Sequence, residues 1–283
     1  MTGRRLATLL VVVAFVTGCT GAALSGSVGP ASAVAPSATR TPAASAEAVE
    51  LTVYGAASLK GALDAIKSAY ATAAPDVTLT VATDASSTLR TQIEQGAPAD
   101  VFLSADQTNP KTLVDKGLAD GAAVDFAGNT LTVIVPAANR AGIAKPADLA
   151  RSGVKVIAAG DDVPIAKYTT QVVANLAGLG GYPAGFAAAY DANVVSKEDN
   201  VKAAVAKIEL GEGDAAIVYS TDAKASTKVT TVSIPTEANV PATYAGVVVK
   251  ASPNVAIAHA FLSWLAGPDG QAVLSTFGFL PPS

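Results

Sequence analysis

The chain has 283 residues, half of them hydrophobic and 15% charged, with a formal net charge of −4. An acidic balance with few aromatics and no basic stripe excludes nucleic acid as a partner class. A single cysteine, Cys19, excludes an internal disulfide framework and a multi-cysteine zinc site, and a single histidine, His259, leaves little material for histidine-based catalysis.

Arg4-Arg5 followed by the apolar run Leu6 to Val16 has the layout of a signal peptide and is too short for a membrane span. Residues 1–18 are therefore expected to be an export signal. The run ends in Val16-Thr17-Gly18-Cys19, which looks like a bacterial lipobox, with small residues before a cysteine that is lipidated and becomes the mature N-terminus. A lipid on Cys19 would anchor the protein to the outer face of the bacterial cell membrane through its buried methylenes. Residues 19–48 are dominated by Ala, Ser, Pro, Thr and Gly, too poor in large apolar groups to fold, and read as a disordered tether. A flexible chain of that length has a reach of roughly 30 Å.

The folded part begins at Val49. Glu50 to Tyr54 alternates as a strand, Gly55-Ala56-Ala57 makes a tight turn, and Ser58 is read as the cap of a helix carrying Leu59, Leu63, Ile66 and Tyr70 on one face. Val77 to Val81 is a second strand. Ser86, Ser87 and Thr88 then open a helix that Gly96 and Pro98 stop, and Val101 to Leu103 is a third strand. A helix around Pro110 to Lys116 stops at Gly117.

A second set follows Gly128-Asn129. Thr130 to Pro136 and Val154 to Ala158 are strands, and a helix runs from Asp161-Asp162-Val163-Pro164 to about Ala177, with Pro164 in its first turn. Ser196-Lys197-Glu198-Asp199 resembles a capping box for a helix from Val201 to Leu210. Ala215 to Val218 is a short buried strand ending at Tyr219, and Tyr244 to Lys250 is the last strand. Val255 to Leu265 and Asp269 to Phe277 are closing helices, the first placing His259 in a structural role among alanines. Such alternation predicts an α/β chain with helix-covered sheets and ligands near the strand C-termini.

Ser58, Ser86 and Tyr219 each fall just beyond the C-terminal end of a strand, and the helix starts at Pro164 and Val201 supply free N–H groups. If the two sets face each other, these neutral donors surround one cleft. A dehydrated oxyanion could be held there by hydrogen bonds and helix dipoles without any Lys or Arg.

Three stretches carry a family resemblance. They are Val53-Tyr54-Gly55-Ala56-Ala57-Ser58-Leu59, the run Ser86-Ser87-Thr88-Leu89 with Gln92 to Phe102, and Ile217-Val218-Tyr219-Ser220-Thr221-Asp222-Ala223. They resemble the molybdate-binding proteins of bacterial ABC importers, with weaker matches at Gly128-Asn129, Gly160-Asp161 with Val163-Pro164, and Asp199-Asn200-Val201. The resemblance covers the chain from Val49 to Phe279. It implies a two-lobed periplasmic-binding fold of type II, each lobe a mixed, mostly parallel sheet covered by helices. The first lobe would take residues 49–129 and 242–283, and the second residues 130–241. It also implies ligand contacts from Ser58, Ser86 and Tyr219 hydroxyls and from backbone N–H groups at Ile165 and Val201.

The resemblance implies molybdate, with tungstate, as ligand, no cofactor, a permease and an ATPase as partners, and a monomer. Two residues depart from the family pattern: Ile165 is bulkier than usual, and Asp84 stands where a small neutral residue is common. An inward Asp84 would repel a dianion or accept a proton from hydrogen phosphate, whereas a turn position would leave it solvated. Sulfate or phosphate, and a ferric ion, are the alternative ligands. The ferric reading lacks converging Tyr, His and carboxylate residues, since only Tyr219 is well placed. A serine hydrolase fails on inventory, for there is no G-x-S-x-G turn.

Overall fold

Alternation puts Leu51 and Val53 on a fully buried face of the first strand, β1 (Val49–Ala56). Helix α1 (Lys60–Ala73) returns over that face with Ala62, Leu63, Ile66 and Tyr70 buried, spaced at the three-to-four period of an amphipathic helix. Strand β2 (Val77–Asp84) pairs parallel to β1 along its whole length, from Val49 opposite Val77 to Ala56 opposite Asp84. Then follow α2 (Ser86–Glu94), β3 (Val101–Ser104) and α3 (Thr108–Asp115). Both helices end as the sequence predicts, on left-handed glycines, Gly96 at φ 89° and Gly117 at φ 67°. The computed structural model describes residues 48–282. The expected export signal, the lipidation site Cys19 and the tether up to residue 47 lie outside the described residues.

The next strand is β4 (Ala119–Asn129), and the first sheet is completed by β10 (Ala242–Val249), giving the order β2-β1-β3-β10-β4. Helices α1, α8 (Val255–Ala266) and α9 (Pro268–Thr276) pack on one face of this sheet. Leu89 and Ile93 of α2 and Leu113 of α3 pack with Phe102, Val247 and Val249 on the other. The second sheet centres on β5 (Leu131–Pro136), flanked by β8 (Ala216–Tyr219) and β9 (Val229–Val232). Strands β6 (Val156–Ala159) and β7 (Val194–Glu198) pair with each other, and a bridge from Val156 to Ala215 ties them to the start of β8. Around them lie α4 (Pro164–Ala177), α5 (Phe186–Ala192), α6 (Val201–Leu210) and α7 (Ser220–Lys224). The parts built on the two sheets are called lobes below.

The chain crosses between the sheets at Asn129–Leu131 and again between β9 and β10. Asn239 ties these crossings together, donating from Nδ2 to the Leu131 carbonyl at 2.8 Å and accepting from the Leu131 N–H at 3.0 Å. At Gly128 the backbone exchanges hydrogen bonds with Leu280, and a Cβ there would sit 2.5 Å from the Pro281 carbonyl oxygen, so the C-terminal segment closes on the crossing only over a glycine.

Several expectations need correction. The sheets are mixed but not mostly parallel. The β1–β2, β1–β3 and β6–β7 pairs are parallel, whereas β3–β10, β10–β4, β5–β8 and β5–β9 are antiparallel. β10 returns from the other lobe and enters the first sheet running against its neighbours. Strand β4 was not expected, because residues 119–124 are largely exposed and show no alternation. Elements α5, β7, α7 and β9 were also absent from the sequence reading. The Ser196–Asp199 capping box does not form, since most of it is β7. The N-cap of α6 is Asn200, whose Oδ1 accepts from the Ala203 N–H at 3.1 Å. Ser58 caps no helix either; it lies in a short 3-10 turn, Ala57–Leu59, ahead of α1. His259 sits half-exposed on α8 with Nε2 2.8 Å from Asp120 Oδ1, in keeping with a structural role. Among the described residues no helix is long and apolar enough to cross a membrane.

Candidate functional site

Ser58, Ser86, Ile165, Val201 and Tyr219 line one small cavity, together with four alanines, Val163, Pro164 and Asn200. Ser58 and Ser86 come from the C-terminal ends of β1 and β2 in the first lobe, and the other three from the second. The cavity measures about 10 Å³, room for about one water. No charged side chain lines it. A larger hollow of about 640 Å³ opens beside Asp100 and Lys250, at the end of the first sheet where β1 and β3 begin, and gathers none of these donors.

Each hydroxyl has a hydrogen-bond partner within the protein. Ser86 is the first residue of α2, and its Oγ accepts from the Ala105 N–H at 3.0 Å, which leaves its own hydrogen to donate. Ser58 Oγ lies 2.9 Å from the Tyr244 hydroxyl, in a pair where either oxygen can donate. Tyr219 donates to the Ala105 carbonyl at 3.4 Å, a long bond whose hydrogen is readily given to a stronger acceptor. Burial pushes the Tyr219 and Tyr244 phenols well above their ordinary range, so both stay protonated and able to donate. The two rings pack edge to face with centroids 5.5 Å apart, and Tyr168 flanks Tyr219 at 6.3 Å.

The backbone donors follow from helix geometry. Ile165 is the second residue of α4, after Pro164, and Val201 is the first of α6, so neither N–H has an intrahelical acceptor. The Asn200 side-chain oxygen takes the Ala203 N–H and its carbonyl the Ala204 N–H, leaving the Val201 N–H available to a ligand with the positive end of the helix dipole behind it. The bulk of Ile165 is accommodated by burial, at 2% exposure. Just behind Tyr219, Lys202 Nζ pairs with the buried Asp222 Oδ1 at 2.8 Å, and burial pushes the Asp222 carboxyl up with Lys202 opposing.

Asp84 is partly buried, at a strand end rather than in a turn. It ends β2, and its Oδ1 accepts from the Ala85 N–H at 2.7 Å and from Asn200 Nδ2 at 3.1 Å. It is absent from the cavity wall. Sequence reasoning missed Tyr244, Asn129 and the capping role of Asn200. Asn129 Nδ2 donates to Thr221 Oγ1 at 2.9 Å and to the Tyr244 hydroxyl at 3.4 Å, linking the crossing to the site. The motif Asp199-Asn200-Val201 already carried a cap-competent Asn directly before the helix.

Two α/β lobes, two crossings and a donor-lined cavity between them have the architecture of a solute-binding protein. The chain matches the bacterial extracellular solute-binding proteins over residues 51–280 and belongs to that family, one of binding proteins rather than enzymes. Within it, the chain is 34% identical over 233 residues to the molybdate-binding protein ModA of Mycobacterium tuberculosis, covering 82% of this chain and 85% of the relative. It is 32% identical over 243 residues to the molybdate-binding protein ModA of Haemophilus influenzae, covering 83% and 91%. The periplasmic molybdate-binding protein of Azotobacter vinelandii superposes with a TM-score of 0.70 at 24% identity, over 82% of this chain and 100% of that one, and shares its α/β periplasmic-binding fold.

Proposed function

We propose that this chain is the solute-binding component of an ABC importer and takes molybdate, with tungstate, into the cleft between its lobes. The observation that carries this reading is the convergence of five neutral donor positions, at Ser58, Ser86, Ile165, Val201 and Tyr219, on a cavity without a charged side chain. A fully deprotonated tetrahedral oxyanion accepts from every one of them. Similarity to molybdate-binding proteins supports the choice of anion.

Phosphate is disfavoured by the same inventory. Hydrogen phosphate needs an acceptor for its proton, and Asp84 is absent from the cavity wall, with its Oδ1 engaged by Ala85 and Asn200. The mismatch costs about 1–3 kcal/mol. Sulfate meets the donors equally well but is smaller and sits more loosely. Among the described residues no group of three or more His, Cys, Asp or Glu could hold a metal ion. Export and a lipid on Cys19 would keep the protein beside its permease at the outer face of the membrane. Calorimetric titration with molybdate, tungstate, sulfate and phosphate tests the reading. Tight molybdate and tungstate binding with weaker sulfate and weakest phosphate is the expected order, and phosphate binding as tightly as molybdate would overturn it.

A further inference from the structure

We propose that Asp84 is a positioning residue of the binding site, which latches the second lobe over the bound anion through Asn200. This rests on the oxyanion-binding reading above. The two side chains belong to opposite walls of the cleft: Asp84 ends β2 of the first sheet, and Asn200 precedes α6 of the second lobe.

Asn200 uses its amide in two directions. Its Oδ1 caps α6 by accepting from the Ala203 N–H at 3.1 Å, and its Nδ2 donates to Asp84 Oδ1 at 3.1 Å. The carboxylate is itself held by the Ala85 N–H at 2.7 Å, directly before Ser86. One chain of hydrogen bonds thus runs from the Ser86 end of the first lobe to the start of α6, whose first N–H, Val201, lines the cavity. Other polar contacts also join the lobes: Asn129 Nδ2 to Thr221 Oγ1 at 2.9 Å beside the crossing, Lys224 Nζ to the Thr276 carbonyl at 3.0 Å, Tyr219 hydroxyl to the Ala105 carbonyl at 3.4 Å, and Lys167 Nζ to Asp106 Oδ2 at 4.0 Å. Among these, the Asp84–Asn200 bond is the one with a carboxylate acceptor within normal hydrogen-bond distance.

The link joins residues of opposite lobes, so it exists only while the lobes are closed. A hydrogen bond to a charged acceptor is the stronger kind. It therefore lowers the free energy of the closed state and slows ligand release without touching the ligand. A carboxylate beside a dianion site also repels the anion, and the two effects have opposite signs. Asp84→Asn separates them, because its amide oxygen keeps the acceptor and loses the charge.

The test is stopped-flow release of molybdate from the full chain, with Kd from calorimetry. Asp84→Ala should release molybdate about tenfold faster, the effect of losing roughly one such bond, with little change in association rate. Asp84→Asn should restore release to within about threefold of the parent, because a neutral bond is weaker than a charged one. Asn200→Ser keeps a good N-cap but cannot reach Asp84, and should behave like Asp84→Ala. The double variant should then be no faster than either single one, the signature of one shared interaction. Additive effects, unchanged release from Asp84→Ala, or tighter binding by both Asp84 variants overturn the latch while leaving the functional reading intact. Failure of the unsubstituted chain to bind any tetrahedral oxyanion overturns that reading, and the latch with it.

Discussion

Ser58 Oγ lies 2.9 Å from the Tyr244 hydroxyl, and the same hydroxyl accepts from Asn129 Nδ2 at 3.4 Å. With Asn129 donating to Tyr244, a phenol hydrogen given to Ser58 would leave the Ser58 hydrogen for the cleft. A residue outside the cavity wall would thereby set the polarity of one that lines it. Tyr244→Phe should weaken molybdate binding by about 0.5–1.5 kcal/mol, the net scale of a neutral hydrogen bond. Calorimetry on the folded variant decides it, and unchanged affinity would show that Ser58 orients unaided.

Ser86→Ala removes both a donor to the anion and the acceptor of the buried Ala105 N–H. Binding should weaken by about 1.5–3 kcal/mol, the range for a hydrogen bond to a charged partner. Titration of the variant with molybdate checks this, and affinity within twofold of the parent chain would remove Ser86 from the site.

Lys202→Met strips the partner from Asp222, whose side chain is fully buried while that of Lys202 is 30% exposed. The cost near neutral pH should be about 2–3 kcal/mol, somewhat below the scale for breaking a fully buried pair. Burial already raises the Asp222 carboxyl, and losing Lys202 raises it further. A raised folded-state pKa contributes stability that is complete below the unfolded value and is lost as pH rises through the folded one. The deficit of the variant should therefore be small near about pH 4 and grow towards about pH 8. Urea melts at both pH values measure it, and a deficit that shrinks with rising pH would contradict the assignment.

Saturating molybdate should shift the solution ensemble towards closed lobes by hinge motion at the crossings Asn129–Leu131 and between β9 and β10. Small-angle scattering should show a smaller radius of gyration with ligand than without. Identical curves at a sensitivity sufficient for such closure would count against a hinge.

Cys19→Ala should release the protein from membranes, or block its processing, while leaving molybdate affinity unchanged. Fractionation of cells carrying the variant reads the outcome directly. Retention equal to the parent would remove the lipid anchor from the account.

The stretch from Ser86 to Ser104 was legible because local chemistry decides it. A helix period, left-handed Gly96 and a fully buried four-residue strand appear where the sequence places them. Pro164 likewise announces α4, since its missing N–H is harmless only in a first turn. The same locality marked the strand ends and helix starts that supply Ser58, Ser86, Ile165, Val201 and Tyr219.

What the sequence could not decide depends on partners far away in the chain. The exposed first half of β4 and the short β7 become strands only because a neighbouring edge satisfies their backbone. The direction of β10 was undecided until the chain had crossed to the second lobe and back. Tyr244 stands 186 residues from Ser58, and Asp84 stands 116 from Asn200. Residue type and spacing announce a hydroxyl or a carboxylate, but its bonding state is set by the group across from it. Only the packing of two lobes brought Asp84 to Asn200, and only the return of β10 to the first sheet gave the Ser58 hydroxyl its partner in Tyr244.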